Sequence, residues 1–582
     1  TSIFGFGHDV NIAYESVYNQ PTRIVDANDN ATDISYDEFG NLIQITGARS
    51  ARTNFSYFAN GLLRTVQDAL NHTTIYEVDM RGNTSAVIDA DGKRTTFTRD
   101  AAGNVTRVRD AKGRDVIMAY DSMNRLTSVT DAAGGGTEYT YTPTSKIATI
   151  RDAKNQTTTF TYNLRDFLVR VTNPTGQVES YTYDPDGRLL SRIKHDGIVI
   201  TFTYNAAGEL TTKTAPGNAT QYYYDPAGVF NRVTDLDSDV QMIYDVSGLL
   251  TSLNQTTAGT DAITYTRDAT GRKMRMRFGA NVDVQYLYTA TNIVDEIRAG
   301  FFGHSYVWRQ ELDLLGRPTK QVLPNEVETR FSYDNVSRVT EMVNELTTPS
   351  RIISKFTHTY DEVGNRTSRK EVVGGFAGAG GATDGVDTAY QYDLLDRLTS
   401  ATHPQEQFAY DAVGNRTEHG QNYNTLNQLL SDGKFTYTFD LNGNRTSKRD
   451  VVTNEVTDYF WDSDDQLRQV NIKNSAGSII KIVRFKYDGL GRRIEKQFQD
   501  NEVMGRSYTR RFVYDGEDII QERDALGNVV ATYLHGPGVD MPITQLRDLD
   551  GNGTIDHDTE VHHFTRDPLG SIKDVTNPQG QI

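Results

Sequence analysis

Polar and apolar residues alternate along short segments of this chain. In residues 198–204, which read Ile-Val-Ile-Thr-Phe-Thr-Tyr, the even positions are apolar or aromatic, while Thr201 and Thr203 fall between them. Alternation with a period of two places successive side chains on opposite faces of a β-strand. Turn-forming residues such as Gly, Asp and Asn separate these segments. The pattern therefore predicts strands joined by tight turns, without helices.

The predicted strands recur at a fixed spacing. An aromatic residue followed by a turn sequence, Y-D-x-x-G-N/R, recurs with a period of about 21 residues from Tyr36 to Tyr204, and less regularly afterwards. A period of about 20 residues accommodates two strands of about six residues and two turns of about four. The motif is represented by Tyr36, Asp37 and Gly40, by Tyr120 and Asp121, by Tyr183, Asp184 and Gly187, by Tyr360, Asp361 and Gly364, and by Tyr410, Asp411 and Gly414.

Each repeat carries two turns. Residues 184–187, Asp-Pro-Asp-Gly, have the residues that a type I turn followed by a left-handed glycine prefers. A second turn follows half a period later, as in residues 110–113, Asp-Ala-Lys-Gly. Because Asp recurs in most repeats, we interpret it as a residue that bonds to the backbone of its own turn. Each repeat therefore predicts one hairpin.

Short hairpins are unstable alone, so successive hairpins must pair into one long antiparallel sheet. Strand twist forces a sheet of more than about ten strands to curl, split or close. A narrow solid solenoid and a wide spiral barrel both satisfy this constraint. Only 37% of residues are hydrophobic, which favours the wide form. We expect an all-β fold in which tandem hairpins wind spirally into a large hollow barrel or shell.

We expect the shell to span residues 36–534. Residues 1–35 are predicted to be N-terminal partial repeats, and residues 535–582 the C-terminal end of the shell. Residues 567–570, Asp-Pro-Leu-Gly, are interpreted as one more turn rather than as a self-cleavage site. The start at Thr1 rather than Met leads us to expect a piece of a longer precursor.

Composition and charge narrow the classes of function. The net charge of −17 disfavours binding to nucleic acid, whose phosphates attract basic proteins. The chain has no cysteine, which excludes disulfides and thiolate zinc sites. No apolar run approaches the roughly 18 residues of a membrane span. Signatures of acyl-transfer, P-loop and dinucleotide-binding sites are also absent, so we expect no enzyme.

One acidic segment predicts a metal site. Residues 548–556, Asp-Leu-Asp-Gly-Asn-Gly-Thr-Ile-Asp, place oxygen ligands at alternate positions, as in an EF-hand calcium loop. Position 12 of that loop is Thr559 instead of a carboxylate, with Glu560 next to it. The alternative is an acidic, solvated turn. The predicted Ca²⁺ ligands are Asp548, Asp550, Asn552, Thr554, Asp556 and Glu560.

Two other groups of residues are weaker candidates for chemistry. His557, His562 and His563 lie close in sequence but lack a zinc-binding spacing, so we expect surface histidines. The motif carboxylates are the residue type that glycoside hydrolysis uses, but their repetition favours the turn role.

The motif, continued as L-x-x-V/I-T-D-A-x-G, resembles the YD-repeat or Rhs-repeat family over nearly the whole chain. This resemblance implies a spiral β-shell, as in bacterial Rhs polymorphic toxins, the C components of Tc toxin complexes and animal teneurins. In the toxin branch it implies a shell around a C-terminal toxin. Residues 563–571 look like the approach to the family's self-cleaving core, and the sequence stops at Ile582, before that core.

Two hypotheses of different classes follow. The first is a non-enzymatic scaffold, the shell portion of a secreted bacterial YD-repeat protein that encloses a C-terminal toxin or effector held in cis. The second is a teneurin-like extracellular adhesion or recognition module that binds glycans or proteins. Both hypotheses place the protein outside the cell or at its surface. Neither includes nucleic acid as a partner or a segment that spans a membrane. A cleavage core followed by an unrelated tail would favour the first.

Overall fold

The computed structural model describes residues 2–3, 10–259, 261–348, 350–374, 385–538, 540–549, 555–557 and 559–582. These residues form 52 β-strands in two sheets, together with two 3-10 helices at Thr256–Ala258 and Glu418–Gly420. The expectation of an all-β fold is confirmed. The strands are numbered below in chain order.

The first sheet contains β1 (Ser2–Ile3), β2 (Val10–Tyr14), β3 (Pro21–Val25), β4 (Ala31–Tyr36), β5 (Leu42–Thr46), β6 (Arg52–Tyr57), β7 (Leu63–Gln67), β8 (Thr73–Val78), β9 (Thr84–Ile88), β10 (Arg94–Arg99), β11 (Val105–Arg109), β12 (Asp115–Tyr120), β13 (Leu126–Thr130), β14 (Gly136–Tyr141), β15 (Ile147–Arg151), β16 (Thr157–Tyr162), β17 (Leu168–Thr172), β18 (Val178–Tyr183), β19 (Leu189–Ile193), β20 (Val199–Tyr204), β21 (Leu210–Ala215), β22 (Asn218–Tyr224), β23 (Phe230–Thr234), β24 (Asp239–Tyr244), β25 (Leu250–Gln255), β26 (Ile263–Arg267), β27 (Lys273–Phe278), β28 (Val282–Tyr288), β29 (Val294–Phe301), β30 (His304–Leu312), β31 (Pro318–Val322), β32 (Val327–Tyr333), β33 (Val339–Thr347), β34 (Ser350–Tyr360), β35 (Arg366–Val373), β36 (Val386–Tyr392), β37 (Leu398–Thr402) and β38 (Gln405–Gln407). The second contains β39 (Gln421–Tyr423), β40 (Leu429–Asp432), β41 (Phe435–Phe439), β42 (Arg445–Asp450), β43 (Val456–Trp461), β44 (Leu467–Lys473), β45 (Ile479–Tyr487), β46 (Arg493–Asp500), β47 (Tyr508–Asp515), β48 (Asp518–Arg523), β49 (Val529–His535), β50 (Pro542–Arg547), β51 (Val561–Arg566) and β52 (Ile572–Thr576).

Within each sheet, every strand pairs antiparallel with the strands next to it in sequence, as β5 does with β4 and β6. An isolated bridge between Tyr410 and Arg416 lies in the segment that joins the two sheets. The polypeptide is therefore one strip of consecutive hairpins.

The motif tyrosine marks a β-bulge in each hairpin. In β4–β5, Ser35 pairs with Gln44 but Tyr36 pairs with Leu42, so Ile43 is left without a partner. The same register shift occurs at the tyrosines that end β6, β12 and β18. A bulge bends its strand and increases the local twist. Repeating it in each hairpin therefore gives the strip a continuous curvature.

The motif aspartate holds the turn that follows. Oδ1 of Asp37 accepts hydrogen bonds from the backbone N–H groups of Phe39 and Asn41, at 2.9 and 2.8 Å. Oδ2 accepts one from the Asn41 side chain, and these bonds together keep the pKa of Asp37 below its ordinary value. Gly40 has φ +81°, a left-handed conformation that favours glycine. Asp121, Asp184, Asp361 and Asp411 accept the same pair of backbone bonds.

In most repeats the tyrosine hydroxyl connects the hairpin to the one before it. The Tyr57 hydroxyl donates to the Leu42 carbonyl at 2.7 Å, next to the preceding bulge. At Arg267, which replaces the tyrosine, the guanidinium donates to the Leu250 carbonyl instead. Equivalent tyrosine bonds join Tyr36 to Pro21, Tyr120 to Val105, Tyr183 to Leu168, Tyr204 to Leu189, Tyr360 to Val339 and Tyr410 to Leu398.

The two faces of the strip differ. In β20, Ile200 is buried and Tyr204 half-buried, whereas Thr201 and Thr203 are exposed. We call the side that bears the motif tyrosines the aromatic face and the other side the open face. Open-face residues pair across strands, as Thr140 does with Thr149 and Arg109 with Asp115. Such cross-strand pairs satisfy polar groups of this face within the sheet itself.

Most of the strip is a single-layered wall. The accessible surface is 30304 Å². A compact protein of the same mass would expose roughly 20,600 Å², so the excess is about half. The larger of the two apolar clusters among the described residues contains Phe301 and Trp308, which pack near Leu534 and Ile543 of the C-terminal strands. A double layer forms where these C-terminal strands cover the aromatic face.

Removing a motif hydroxyl should weaken the link between hairpins. We expect Tyr57→Phe to lower the free energy of unfolding by about 1 kcal/mol, the contribution of one hydrogen bond. Urea denaturation followed by circular dichroism measures this change. The matched control is Tyr139→Phe, because the Tyr139 hydroxyl makes no hydrogen bond to another described residue. Equal effects of the two substitutions would contradict the assigned role.

Candidate functional site: the seam between windings

The strip has two rims because the two turns of each repeat lie at opposite ends of its strands. We call the turns that follow the motif aromatic residues, such as residues 37–40 and 184–187, the YD rim. The turns between repeats, such as residues 110–113 and 152–155, form the inter-repeat rim. In both rims an Asp or Asn side chain bonds to the backbone of its turn, as Asp110 does.

The two rims meet at a nearly constant separation in sequence. Lys154 on the inter-repeat rim donates to Asp411 on the YD rim at 3.0 Å, across 257 residues. Lys112 makes the same contact with Asp361, across 249 residues. Further contacts of this kind join Asn28 to Thr270, Arg49 to Leu312, Asp91 to Arg338, Gln156 to Asn427, Asp196 to Asn442 and Lys194 to Asp465.

This separation establishes the spiral. Because each repeat has about 21 residues, contacts between residues 249 and 257 positions apart mean that one winding contains about 12 repeats. A narrow solenoid would instead bring neighbouring repeats together, so that alternative is wrong. We call residues 10–255 the first winding, 256–507 the second winding and 508–582 the last winding. The line of contacts between the rims of the first and second windings is the seam.

The last residue of the motif, Asn or Arg, determines whether the turn binds a positively or a negatively charged side chain of the other winding. Where it is Asn, as at Asn365, Oδ2 of Asp361 accepts both the Asn365 side-chain amide and the Lys112 ammonium group. Where it is Arg, as at Arg338, the guanidinium bonds to the aspartate of its own turn and also reaches Asp91 of the first winding at 2.9 Å. The Arg338 guanidinium also lies 4.9 Å from the centre of the Tyr360 ring. The YD rim can therefore accept either charge.

Lys194 is the most enclosed cation of the seam contacts named above. Its side chain is 2% exposed and donates to the Ser463 carbonyl at 3.0 Å and to Asp465 at 2.6 Å. A buried ammonium group is stable only when it is paired and hydrogen-bonded. Lys194 therefore ties the first winding to the second.

The last winding packs face to face on the second winding. Asn344, on the aromatic face of the second winding, donates to the Arg566 carbonyl at 3.0 Å. The Ser354 and Thr565 hydroxyls both donate to Asp574 at 2.9 Å. All of these side chains except Arg566 are buried. The open face of the last winding thus covers part of the aromatic face beneath it.

This packing corrects the expectation that the three histidines lie on the surface. His563 is 2% exposed, and its Nδ1 lies 2.9 Å from the Thr544 hydroxyl. Burial lowers its pKa to about 4. His557 Nδ1 lies 2.6 Å from the Tyr306 hydroxyl of the second winding. His562 is half-buried. The sequence offered no sign that a second layer covers this strand.

The predicted calcium loop is described only in part. Asp550, Asn552 and Thr554 lie outside the described residues. Glu560 is 3% exposed, and its two carboxylate oxygens accept the backbone N–H groups of Leu549 and Asp556, which join the ends of the loop. Among the described residues, no group of three or more His, Asp or Glu side chains is arranged to hold a metal ion. Calcium binding by this loop, including Asp548, stays a prediction.

Sequence reasoning assigned the motif aspartates to their own turns and missed their second role. Asp361 and Asp411 also bind lysines of another winding. Lys112 and Lys154 had no predicted role at all. The available signal was a lysine recurring at the third position of the inter-repeat turn, but nothing in the sequence specifies its partner.

The hairpin repeat, bulge and seam can be compared with known proteins. A family model described as "Teneurin YD-shell" matches residues 95–229, 144–302 and 318–518. The chain belongs to the teneurin YD-shell family. The resemblance to YD-repeat and Rhs-repeat proteins is thereby confirmed. No described helix is long and apolar enough to cross a membrane.

Two curated relatives share parts of this YD-shell chain. Double-stranded DNA deaminase toxin A of Burkholderia cenocepacia is 25% identical over 414 residues, which cover 64% of this chain and 27% of that protein. The tRNA nuclease WapA of Bacillus subtilis is 30% identical over 161 residues, covering 25% of this chain and 6% of that protein. The chain thus spans only a minor part of each relative's length.

Solved structures share the fold. The Photorhabdus luminescens Tc holotoxin pore, with a TccC3 variant, superposes with a TM-score of 0.75 at 14% identity, over 99% of this chain and 33% of that chain. The structure of TcdB2-TccC3 without its hypervariable C-terminal region superposes with a TM-score of 0.76 at 14% identity, over 99% of this chain and 34% of that chain. The expected spiral β-shell is therefore confirmed as the fold.

Loss of the enclosed seam cation should destabilise the shell. We expect Lys194→Ala to lower the free energy of unfolding by about 2 kcal/mol, because it removes two hydrogen bonds of a charged group. The control is Lys146→Ala, an exposed lysine whose side chain pairs with no described residue. Chemical denaturation measures both. A Lys194→Ala protein as stable as the Lys146→Ala protein would contradict the importance of this contact.

The seam should also weaken in acid. Burial acts to raise the pKa of Asp361, but hydrogen bonds, including those from Lys112 and Asn365, outweigh it and the pKa is lowered. The pKa of Asp411 is also lowered, because hydrogen bonds that include those from Asn415 and Lys154 outweigh the effect of burial. A lowered pKa contributes stability above the usual value near 4, and this stability is lost as the pH falls through the folded value.

We therefore expect wild type to be more stable than Lys112→Met/Lys154→Met by about 1 kcal/mol at pH 7. As the pH falls below about 4 and through the lowered pKa values of the folded protein, this difference should shrink, because an aspartate that becomes protonated no longer attracts its lysine. Denaturation curves of both proteins at pH 7 and pH 3 provide the test. A difference that does not change with pH would exclude the proposed ion pairs.

Proposed function

We propose that this chain is the shell portion of a secreted bacterial YD-repeat protein that encloses a C-terminal effector polypeptide and catalyses no reaction itself. The observation that carries this proposal is the seam, which closes successive windings into a wall. A sheet whose edges are paired or covered separates a volume from the surroundings. Such a wall keeps proteases from a guest inside it.

The dimensions of one winding indicate that the space inside it is narrow. The first contact of the seam, between Asn28 and Thr270, closes a loop of 23 strands, β4 to β26. At about 4.8 Å per strand the circumference is roughly 110 Å, which corresponds to a diameter of about 35 Å. Side chains on the inner wall reduce the open width to roughly 25 Å.

A compact guest does not fit this width easily. A folded domain of about 100 residues has a radius of gyration of about 13 Å and a diameter above roughly 30 Å. A guest of that size would have to remain extended or incompletely folded inside the winding. The shell would thus keep an effector inactive through lack of space, without an inhibitory active-site contact.

The relatives support the proposal that the shell and the catalytic activity reside in different parts of one polypeptide. Their names denote a deaminase toxin and a tRNA nuclease, whereas the matched segments cover 27% and 6% of those proteins. We infer that such activities belong to parts beyond the shell, and that this chain supplies the container. Secretion follows from the same proposal, because an enclosed toxin has to leave the cell that makes it.

A guest fused to the chain tests enclosure. We expect a short unfolded reporter attached after Ile582 to resist proteinase K while the shell is folded, because the wall excludes the protease. The control carries the same reporter before Thr1. Mass spectrometry of the digests identifies the surviving segments. Equal digestion of the two reporters would contradict enclosure at the C-terminal end.

A further inference from the structure

Two histidines are buried where the last winding covers the second winding. His563 of the last winding is 2% exposed, and His358 of the second winding is 3% exposed. His358 lies on the same face of β34 as Ser354, whose hydroxyl donates to Asp574 of the last winding. Burial disfavours the charged form of an imidazole. The packing of the two windings therefore requires both histidines to be neutral.

His358 occupies a position that is apolar or aromatic in the first winding. It stands two residues before the motif Tyr360, and the centres of the two rings are 6.4 Å apart. Neither ring nitrogen of His358 makes a hydrogen bond of ordinary geometry with a described residue. In the first-winding repeats the equivalent residues are all half-buried, and they are Ile34, Phe55, Tyr76, Phe97, Met118, Tyr139, Phe160, Tyr181, Phe202 and Tyr222. A titratable side chain thus replaces an apolar or aromatic one, and it is more deeply buried than these equivalents.

The charges around His358 oppose its protonation. Burial and the positive charges of Arg366 and Arg369 lower the pKa of His358 to about 4. The Ser368 backbone and the Asp567 carboxylate offset these effects only in part. The two arginines belong to the neighbouring strand β35, whereas Asp567 follows β51 in the last winding. Protonation would therefore add a positive charge beside two arginines in a buried site.

His563 meets neutral groups from the elements around it. Its Nδ1 lies 2.9 Å from the Thr544 hydroxyl of β50, and the Thr576 hydroxyl of β52 donates to its carbonyl. The centre of its ring is 6.3 Å from that of Tyr306 in the second winding. Burial, with a smaller contribution from His562, lowers the pKa of His563 to about 4. No carboxylate is among these described neighbours to stabilise a protonated ring.

Part of the contact between the two windings is a cavity of about 210 Å³. Its lining includes Trp308 and Met342 of the second winding and Met541 and Phe564 of the last winding. Protein interiors are normally close-packed, and groups that line a void lose part of their attraction. The two layers are therefore held together less firmly here than close packing would hold them.

The effect of the histidines falls in a defined range of pH. A lowered histidine pKa contributes stability that is present above the ordinary value near 6.5 and is lost as the pH falls towards the folded value. At pH 4.5 each histidine should favour the uncovered state by roughly 80-fold. The seam aspartates Asp361 and Asp411 have lowered pKa values and become protonated only below about pH 4. The two effects are therefore separable.

We propose that the contact between the last winding and the second winding is an acid-sensitive latch, which loosens when His358 and His563 are protonated while the seam stays closed. Loosening would uncover the aromatic face of the second winding. As a means of regulating the closure of the shell, the latch rests on the proposed function. Its structural basis is the packing of the two windings and not the presence of a guest.

Trp308 reports the position of the last winding, because its side chain is fully buried in the cluster that the two windings share. Trp461, the other tryptophan of the chain, occupies a motif position, where its Nε1 donates to the Arg445 carbonyl. Trp461→Tyr restores the usual motif residue and leaves Trp308 as the single tryptophan. Urea titrations of this parent protein at pH 7.5 and pH 4.5 are followed by tryptophan emission and by far-ultraviolet circular dichroism.

At pH 4.5 we expect Trp308 to become exposed at a lower urea concentration than the strands unfold. Between pH 7.5 and pH 4.5 the equilibrium constant for its exposure should rise roughly 6,000-fold more in the parent than in His358→Phe/His563→Gln. His358→Phe alone introduces the residue found at Phe55 and Phe97 and should remove roughly 80-fold of the rise.

The matched control is His419→Asn, which changes an exposed histidine at φ +57°, a conformation that Asn tolerates. It should behave as the parent does. Coincident transitions of the two probes at pH 4.5, or equal rises in the parent and the double variant, would overturn the latch. Protease protection of a fused guest is measured separately at pH 7.5, so failure of the latch is distinguishable from failure of enclosure.

Discussion

The fixed geometry of the aspartate-held turn determines the rest of this structure. Oδ1 of Asp37 accepts the N–H groups two and four residues ahead, and the same bonds recur at Asp184 and Asp411. Because the turn has one length, the bulge falls at the same place in each such hairpin. The motif tyrosines then share one face, and their hydroxyls reach the preceding bulge. A slip of one residue would exchange the two faces of a strand.

Curvature and closure follow from this regularity. Each bulge adds twist, and a long twisted strip has to wind. The turns also concentrate charged and amide side chains at both rims, so a winding that returns after 249 to 257 residues meets complementary groups. Lys154 with Asp411 and Arg338 with Asp91 are two forms of this contact. The same side chains thus serve hairpin geometry and shell assembly.

The sequence predicted the local structure well because that information is local. Alternation in residues 198–204 and the turn chemistry of residues 184–187 each involve neighbours in the chain. The seam was not predictable, because no feature near Lys112 specifies a partner 249 residues away. Burial of His563 was missed for the same reason: it depends on a second layer formed by a distant winding. The number of repeats per winding depends on accumulated twist, which no single repeat encodes.

Small-angle X-ray scattering of the purified chain tests directly whether the protein is a hollow shell whose wall is mostly a single layer. A solid globule of this length would have a radius of gyration of about 25 Å. We expect a larger radius and a pair-distance distribution skewed to long distances, as a hollow particle gives. A radius equal to that of the solid globule, with the symmetric distribution of a sphere, would contradict it.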